Sequence, residues 1–206
     1  HMGLKIMANI GITLGIREEG EKALACFESA LEEARETGDR IAEGAILGNM
    51  GIQHQNLGHM DEALACFEAS LTLAEETGSI KSQGIVLGNM GILHNNQGRL
   101  KEALACYERS YELRKKAGNR RGQAVALLNM GSLDLELNNV KEAQTCFQEA
   151  LEIAREIENP WDEAVALGNL GLLHFRQGNL ETAEESARQS ISISRNTGAR
   201  KNLVSS

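Results

Sequence analysis

Five asparagines stand at one phase of the chain: Asn9, Asn49, Asn89, Asn129 and Asn169, each 40 residues from the next. A carboxamide donates and accepts at once, so it can pair with a peptide backbone whatever side chains that peptide carries. Asparagine is also a mediocre residue for a helix interior. Five in register therefore ask for a reason beyond local structure. Two readings are open: contact with a bound chain, or hydrogen bonding between successive helices that stiffens the array.

The other reactive residue types keep the same period and point away from catalysis. Cys26, Cys66, Cys106 and Cys146 are again 40 apart, with Ser186 at the fifth place. Equivalent atoms in stacked helical units lie roughly 8–10 Å apart per layer, whereas a disulfide needs Cα atoms within about 7 Å. The thiols therefore read as small packing residues in a reducing, cytoplasmic compartment. His54, His94 and His174 share one phase as well. One histidine per unit cannot converge on an ion whose ligands lie about 2 Å away, so packing is expected and no metal. His59 falls in a turn. No glycine-rich phosphate loop follows a strand, and the glutamates around Glu32, Glu33 and Glu36 read as a solvated face. The chain is expected to be no enzyme and to need no cofactor.

The elements that carry these residues follow from the same period. Each asparagine sits in a short block: Leu47-Gly48-Asn49-Met50-Gly51, then Leu87 to Gly91, Leu127 to Gly131 and Leu167 to Gly171, with a divergent Met7 to Gly11 ahead of them. A period of this size marks stacked supersecondary units instead of one globular core. Units are expected at 3–37, 38–77, 78–117, 118–157 and 158–197 of a single array over 1–206. Residues 198–206 would begin a further unit or form a tail. Both ends cut into the pattern, which reads as a piece excised from a longer array in preference to an array with short natural ends.

Within a unit the punctuation predicts two helices. Gly38, Gly78, Gly118 and Gly198 are placed to end a helix in left-handed backbone. Asp39, Ser79, Asn119 and Asn159 follow as N-caps, and Pro160 suits a first helical position. Helix A is predicted over about 40–57 and helix B over about 60–77, joined at Gly58, Gly98, Asn138 and Gly178. In the first unit Glu18 takes that place and the glycine moves to Gly20. Leu47, Met50, Gly51 and His54 on A, with Ala63, Phe67, Ser70, Leu71 and Ala74 on B, form one buried stripe per helix. Gly51 and Ala63 let the two helices approach closely. Hydrophobic residues at 42% with aromatics at only 3% and a single proline suit such an all-α array.

The pattern Leu47, Met50-Gly51, His54, Ala63, Phe67, Ser70 resembles the tetratricopeptide repeat, W-x2-L-G-x2-Y…A-x3-F-x2-A, in five copies over essentially the whole chain. Leucine stands for its Trp, His or Asp for its Tyr, and no proline ends helix B. The 40-residue length resembles the long repeats of kinesin light chains, Pins/LGN-type adaptors and bacterial regulators, including peptide-sensing ones. The resemblance implies a right-handed α-solenoid with A helices lining the concave surface. It also implies that Asn49, Asn89, Asn129 and Asn169, with Asn9, contact the backbone or terminal carboxylate of a ligand.

On that reading the groove gathers Ile41, Ala45, Gly48, Asn49, Ile52 and Asn56 from the second unit. The third supplies Lys81, Ile85, Gly88, Asn89, Ile92 and Asn96. The fourth supplies Arg121, Val125, Leu128, Asn129, Ser132 and Glu136, and the fifth Trp161, Val165, Gly168, Asn169, Leu172, Phe175 and Arg176. Gly48, Gly88 and Gly168 leave room for a close-lying chain. Lys81, Arg121 and Arg176 offer a cationic edge or are merely solvated; Trp161 and Phe175 offer an aromatic anchor or pack on a neighbouring repeat. The expected partner is a protein or peptide. A net charge of −8 speaks against nucleic acid, and no apolar run nears the roughly 20 residues of a membrane span. Alternatives are a self-associating array, homo-oligomeric through its ends, or the peptide-sensing regulatory domain of a larger signalling protein.

Overall fold

The computed structural model describes residues 2–17 and 19–204, with side chains over 6–17 and 19–197. Among these residues there are ten helices and no strand: α1 (Met2–Ile16), α2 (Gly20–Glu36), α3 (Arg40–Asn56), α4 (Met60–Glu76), α5 (Ile80–Asn96), α6 (Leu100–Lys116), α7 (Arg120–Glu136), α8 (Val140–Glu156), α9 (Pro160–Arg176) and α10 (Leu180–Val204). Odd-numbered helices are the expected A helices and even-numbered ones the B helices. The fold is an all-α array of stacked helix pairs.

Caps and turns explain the boundaries. The side chain of Asp39 accepts from the Ala42 amide, that of Ser79 from Ser82, that of Asn119 from Gly122, and that of Asn159 from Trp161 and Asp162. The same residues close the preceding helix: the Asp39 amide donates to the Ala34 carbonyl at 2.9 Å and that of Gly38 to Arg35 at 3.2 Å. That pair of bonds is a Schellman motif, which demands left-handed backbone at the residue after the cap. Gly38 supplies it at φ +67.

Two turns make the same bend without glycine. Asn138 has φ 62 and Glu158 φ 51. Asparagine tolerates this region, whereas a glutamate there costs about 1–2 kcal/mol. Glu158→Gly is therefore expected to raise the unfolding free energy by about 1 kcal/mol in urea titrations followed by circular dichroism, and Asn138→Gly by less. A loss of stability in the first variant would contradict the strain.

Two local expectations are corrected. Glu18 lies outside the described residues, but Gly20 is no turn glycine. It opens α2 in a buried position, where a Cβ would lie 2.9 Å from Leu57 Cδ2. Its role is a close approach between repeats. Gly198 does not end a helix either, because α10 runs through it to Val204. Trp161 and Phe175 lie at opposite ends of α9, about 20 Å apart along its axis at 1.5 Å per residue.

The chain divides into two compact units, His1–Leu113 and Arg114–Ser206, with the boundary near the end of α6. In the first, α1 pairs with α2 and α3 with α4, α2 packs on α3, and α4 on α5. In the second, α7 pairs with α8, α9 with α10, and α8 packs on α9. Inside four of the five pairs, α9–α10 excepted, a ring packs against a glycine. Phe27, Phe67 and Phe147 are fully buried and Tyr107 nearly so. A Cβ at Gly11, Gly51, Gly91 or Gly131 would fall between 2.4 and 2.7 Å from the ring opposite. Ser70 and Ser110 then bind B to A, their hydroxyls donating to the Gly44 carbonyl at 2.7 Å and the Gly84 carbonyl at 2.6 Å.

Candidate functional site

Packing one face of each A helix on its B partner leaves the opposite face to solvent, and that face carries the asparagines. In the first unit Asn9 is exposed, while Asn49 and Asn89 are half-buried; in the second, Asn129 and Asn169 are half-buried. None of the four half-buried carboxamides makes a hydrogen bond among the described residues. The inter-helix ladder that would have explained them structurally is therefore not formed.

Their neighbours are apolar and open. Ile41, Ile52, Ile85 and Ile92 are all exposed, as are Ile12 and Ile16. Between α3, α4 and α5 lies a concavity of ≈ 210 Å³ bordered by Ile41, Gly48, Asn49, Ile52, Ile85 and Asn89. A second, of ≈ 290 Å³, shares Asn49 and Ile52 and adds Ile12, Ile16 and Asn56. Gly48 differs from Gly51 in kind. A Cβ at Gly48 would meet only the Ser70 hydroxyl at 3.3 Å, whereas at Gly51 it would run into Phe67 at 2.6 Å. Core packing forbids a side chain at Gly51; at Gly48 it requires only a small adjustment. Gly88 is buried, Asn96 is exposed, and Gly168 is half-buried.

Charge on these faces is mostly committed. Arg40, beside the first concavity, pairs with Glu43 at 3.0 Å and with Glu76. Arg121 pairs with the buried Asp162 at 3.3 Å, and Arg176 donates to the Leu135 carbonyl at 2.8 Å. Of the three cations expected to form an edge, Lys81 alone is exposed with neither an ion pair nor a side-chain hydrogen bond among the described residues. Ion-pair partners 41 residues away cannot be read from local pattern.

A family model for the tetratricopeptide repeat matches residues 4–76, 43–116, 82–156 and 122–196, windows that overlap along nearly the whole length. The chain belongs to the tetratricopeptide repeat family.

Solved structures agree on this tetratricopeptide fold. The chain is similar to BtubC (BKLC) from P. vanneervenii, with 19% identity over 93% of this chain and 80% of that one, at TM-score 0.82. It is similar to the Podosopora anserina kinesin light chain repeats, at 14% identity, 96% and 98% coverage and TM-score 0.74. It is also similar to a Rap protein complexed with Competence and Sporulation Factor, at 15% identity, 94% of this chain and 54% of that one, and TM-score 0.81. Among curated proteins no sequence match reaches significance.

Other reactive residues of the tetratricopeptide array sit in its packing. His94 is buried, His54 and His174 half-buried, and the rings of His54 and His59 lie 5.8 Å apart. Among the described residues no cluster of three His, Cys, Asp or Glu is placed to hold a metal ion. The four cysteines are half-buried and unpaired. Burial, with Asp134 nearby, pushes the Cys146 thiol up to about 11, and burial also raises those of Cys66 and Cys106. Thiols held protonated in this way are poor nucleophiles. No described helix is long and apolar enough to cross a membrane.

Proposed function

We propose that this chain is a protein-interaction module that holds a peptide segment against the helix-A face, in the concavity bordered by Asn49 and Asn89. The observation that carries it is a pair of half-buried carboxamides with no protein partner, beside exposed isoleucines and a glycine on the same open face. Such a surface would read backbone through Asn49 and Asn89 and seat an aliphatic side chain against Ile41, Ile52 and Ile85. Lys81 and Ile92 extend it on α5, and Asn9, Asn56 and Asn96 border it. Asn129 and Asn169 offer the second unit the same chemistry, with Arg121, Arg176, Trp161 and Phe175 on the flanking surface of its A helices. The Rap complex with Competence and Sporulation Factor is consistent with a role of this kind. The task needs neither cofactor nor catalysis. Four unpaired, half-buried cysteines suit a cytoplasmic setting.

The test uses peptides selected from a random-peptide display library on the immobilised chain. Asn49→Ala combined with Asn89→Ala removes two neutral hydrogen bonds at about 1 kcal/mol each, so calorimetry should show affinity falling about 30-fold with the helical spectrum intact. Unchanged affinity in the folded double variant would refute the assignment.

A further inference from the structure

Two hollows open on the helix-A face of the first unit, and they share a wall. One lies between α3 and α5 and reaches from Ile41 to Ile52 along α3. The other lies between α1 and α3 and reaches from Asn49 to Asn56 along the same helix. Asn49 and Ile52 stand in the wall common to both. Ile12, Ile52 and Ile92 are 41%, 37% and 38% exposed, so helices with a neighbour on both sides are as open here as α1.

The separation of the hollows selects the conformation of what fills them. Their midpoints differ by about six residues along α3, or about 9 Å at 1.5 Å per residue. They are also one helix layer apart, roughly 8–10 Å, so the diagonal between them is about 12–13 Å. A β-extended chain returns its side chains to one face every second residue, which puts residues i and i+4 about 13 Å apart on that face. Polyproline II returns them every third residue, at about 9 Å, which is too short. In an α-helix the backbone amides and carbonyls are bonded to one another and leave nothing for Asn49 to pair with. An extended chain presents both groups sideways and unpaired.

Charge marks one end of the diagonal. The one carboxylate on α1, α3 and α5 is Glu43. It is buried and held by Arg35 and Arg40, each at 3.0 Å. The α3–α5 hollow ends at Ser79 and Ser82, on either side of Lys81. Lys81 is exposed, with neither an ion pair nor a side-chain hydrogen bond among the described residues. A carboxylate arriving there meets an uncommitted cation and no competing acid from the A helices.

Granting the peptide site above, we propose that its ligand is an extended, acidic peptide with two aliphatic residues four apart, one in each hollow. The residue midway faces the wall of Asn49 and Ile52 and is small. The acidic residue lies two positions beyond the α3–α5 hollow, on the same face, opposite Lys81.

Amide-shift titrations of the labelled whole chain with synthetic heptapeptides test it. The parent peptide carries two leucines four apart, a glycine midway, an aspartate two residues beyond one leucine and serine elsewhere, made in both chain orders. One order should bind about tenfold tighter than isomers with the leucines three or five apart, which leave one hollow unfilled. Ile12→Ser and Ile85→Ser, both at exposed positions, should each remove that preference with the helical spectrum intact. Lysine in place of the aspartate should weaken binding to the wild type about threefold and recover it on Lys81→Glu. Equal affinities across the spacings, a best spacing other than four, no measurable binding by any isomer, or no recovery on Lys81→Glu would overturn the proposal. Display-selected peptides that still lose affinity on Asn49→Ala with Asn89→Ala would then leave the site itself standing. Selected peptides indifferent to those alanines would remove the site as well.

Discussion

Phe147→Ala is expected to lower the unfolding free energy by about 3–5 kcal/mol, the cost of emptying a fully buried aromatic site. The ring is 0% exposed and lies against Gly131, where a Cβ would come within 2.7 Å of it. Ala143 and Ala150, about one helical turn either side of it on α8, are fully buried and have little side chain with which to collapse into the space. Urea titration followed by circular dichroism reads the effect as a fall in midpoint. A loss below about 1 kcal/mol would mean that the ring does not set the spacing of α7 and α8.

The second large effect is at the glycines beneath these rings, and it depends on the repeat. Gly91→Ala places a methyl 2.4 Å from Tyr107 Cε1, and Gly51→Ala one 2.6 Å from Phe67. Overpacking of this kind costs about 1–3 kcal/mol, against a gain near 1 kcal/mol in helix propensity. Both variants are expected to be destabilised. Gly171→Ala is different, because Ala187 stands where the other repeats carry a ring. The nearest atoms to its Cβ are Ala183 O at 3.3 Å and Ser186 Cβ at 3.4 Å. That variant should lie within about 1 kcal/mol of wild type. Equal losses at Gly91 and Gly171 would show that the glycines serve something other than ring packing.

The fold was legible because a period of 40 residues leaves little freedom. The asparagine blocks fixed the phase, Gly38 and Asp39 marked the turns, and the predicted helices differ from α3 and α4 by one residue at their C-terminal ends. What the pattern missed lies where a rule is broken without a visible substitute. Glu158 bends like a glycine because the Schellman bonds on either side hold it there. Gly20 looked like a displaced turn residue and is instead a contact under Leu57, a feature of packing between repeats.

The candidate site was legible in phase but not in commitment. Spacing placed Asn49, Asn89, Ile52 and Ile92 on one face. It could not show that Arg121 is tied to Asp162 or Arg176 to the Leu135 carbonyl, because those partners are 41 residues away.

The most direct test of peptide binding on the helix-A face is the map of backbone amide shifts when a display-selected peptide is titrated into the labelled chain. The account predicts that the perturbed amides gather at Gly48, Asn49 and Ile52 on α3 and at Ile85 and Asn89 on α5. Shifts that gather instead on the outer face of α4, around Glu68 and Glu75, with α3 and α5 silent, would contradict it.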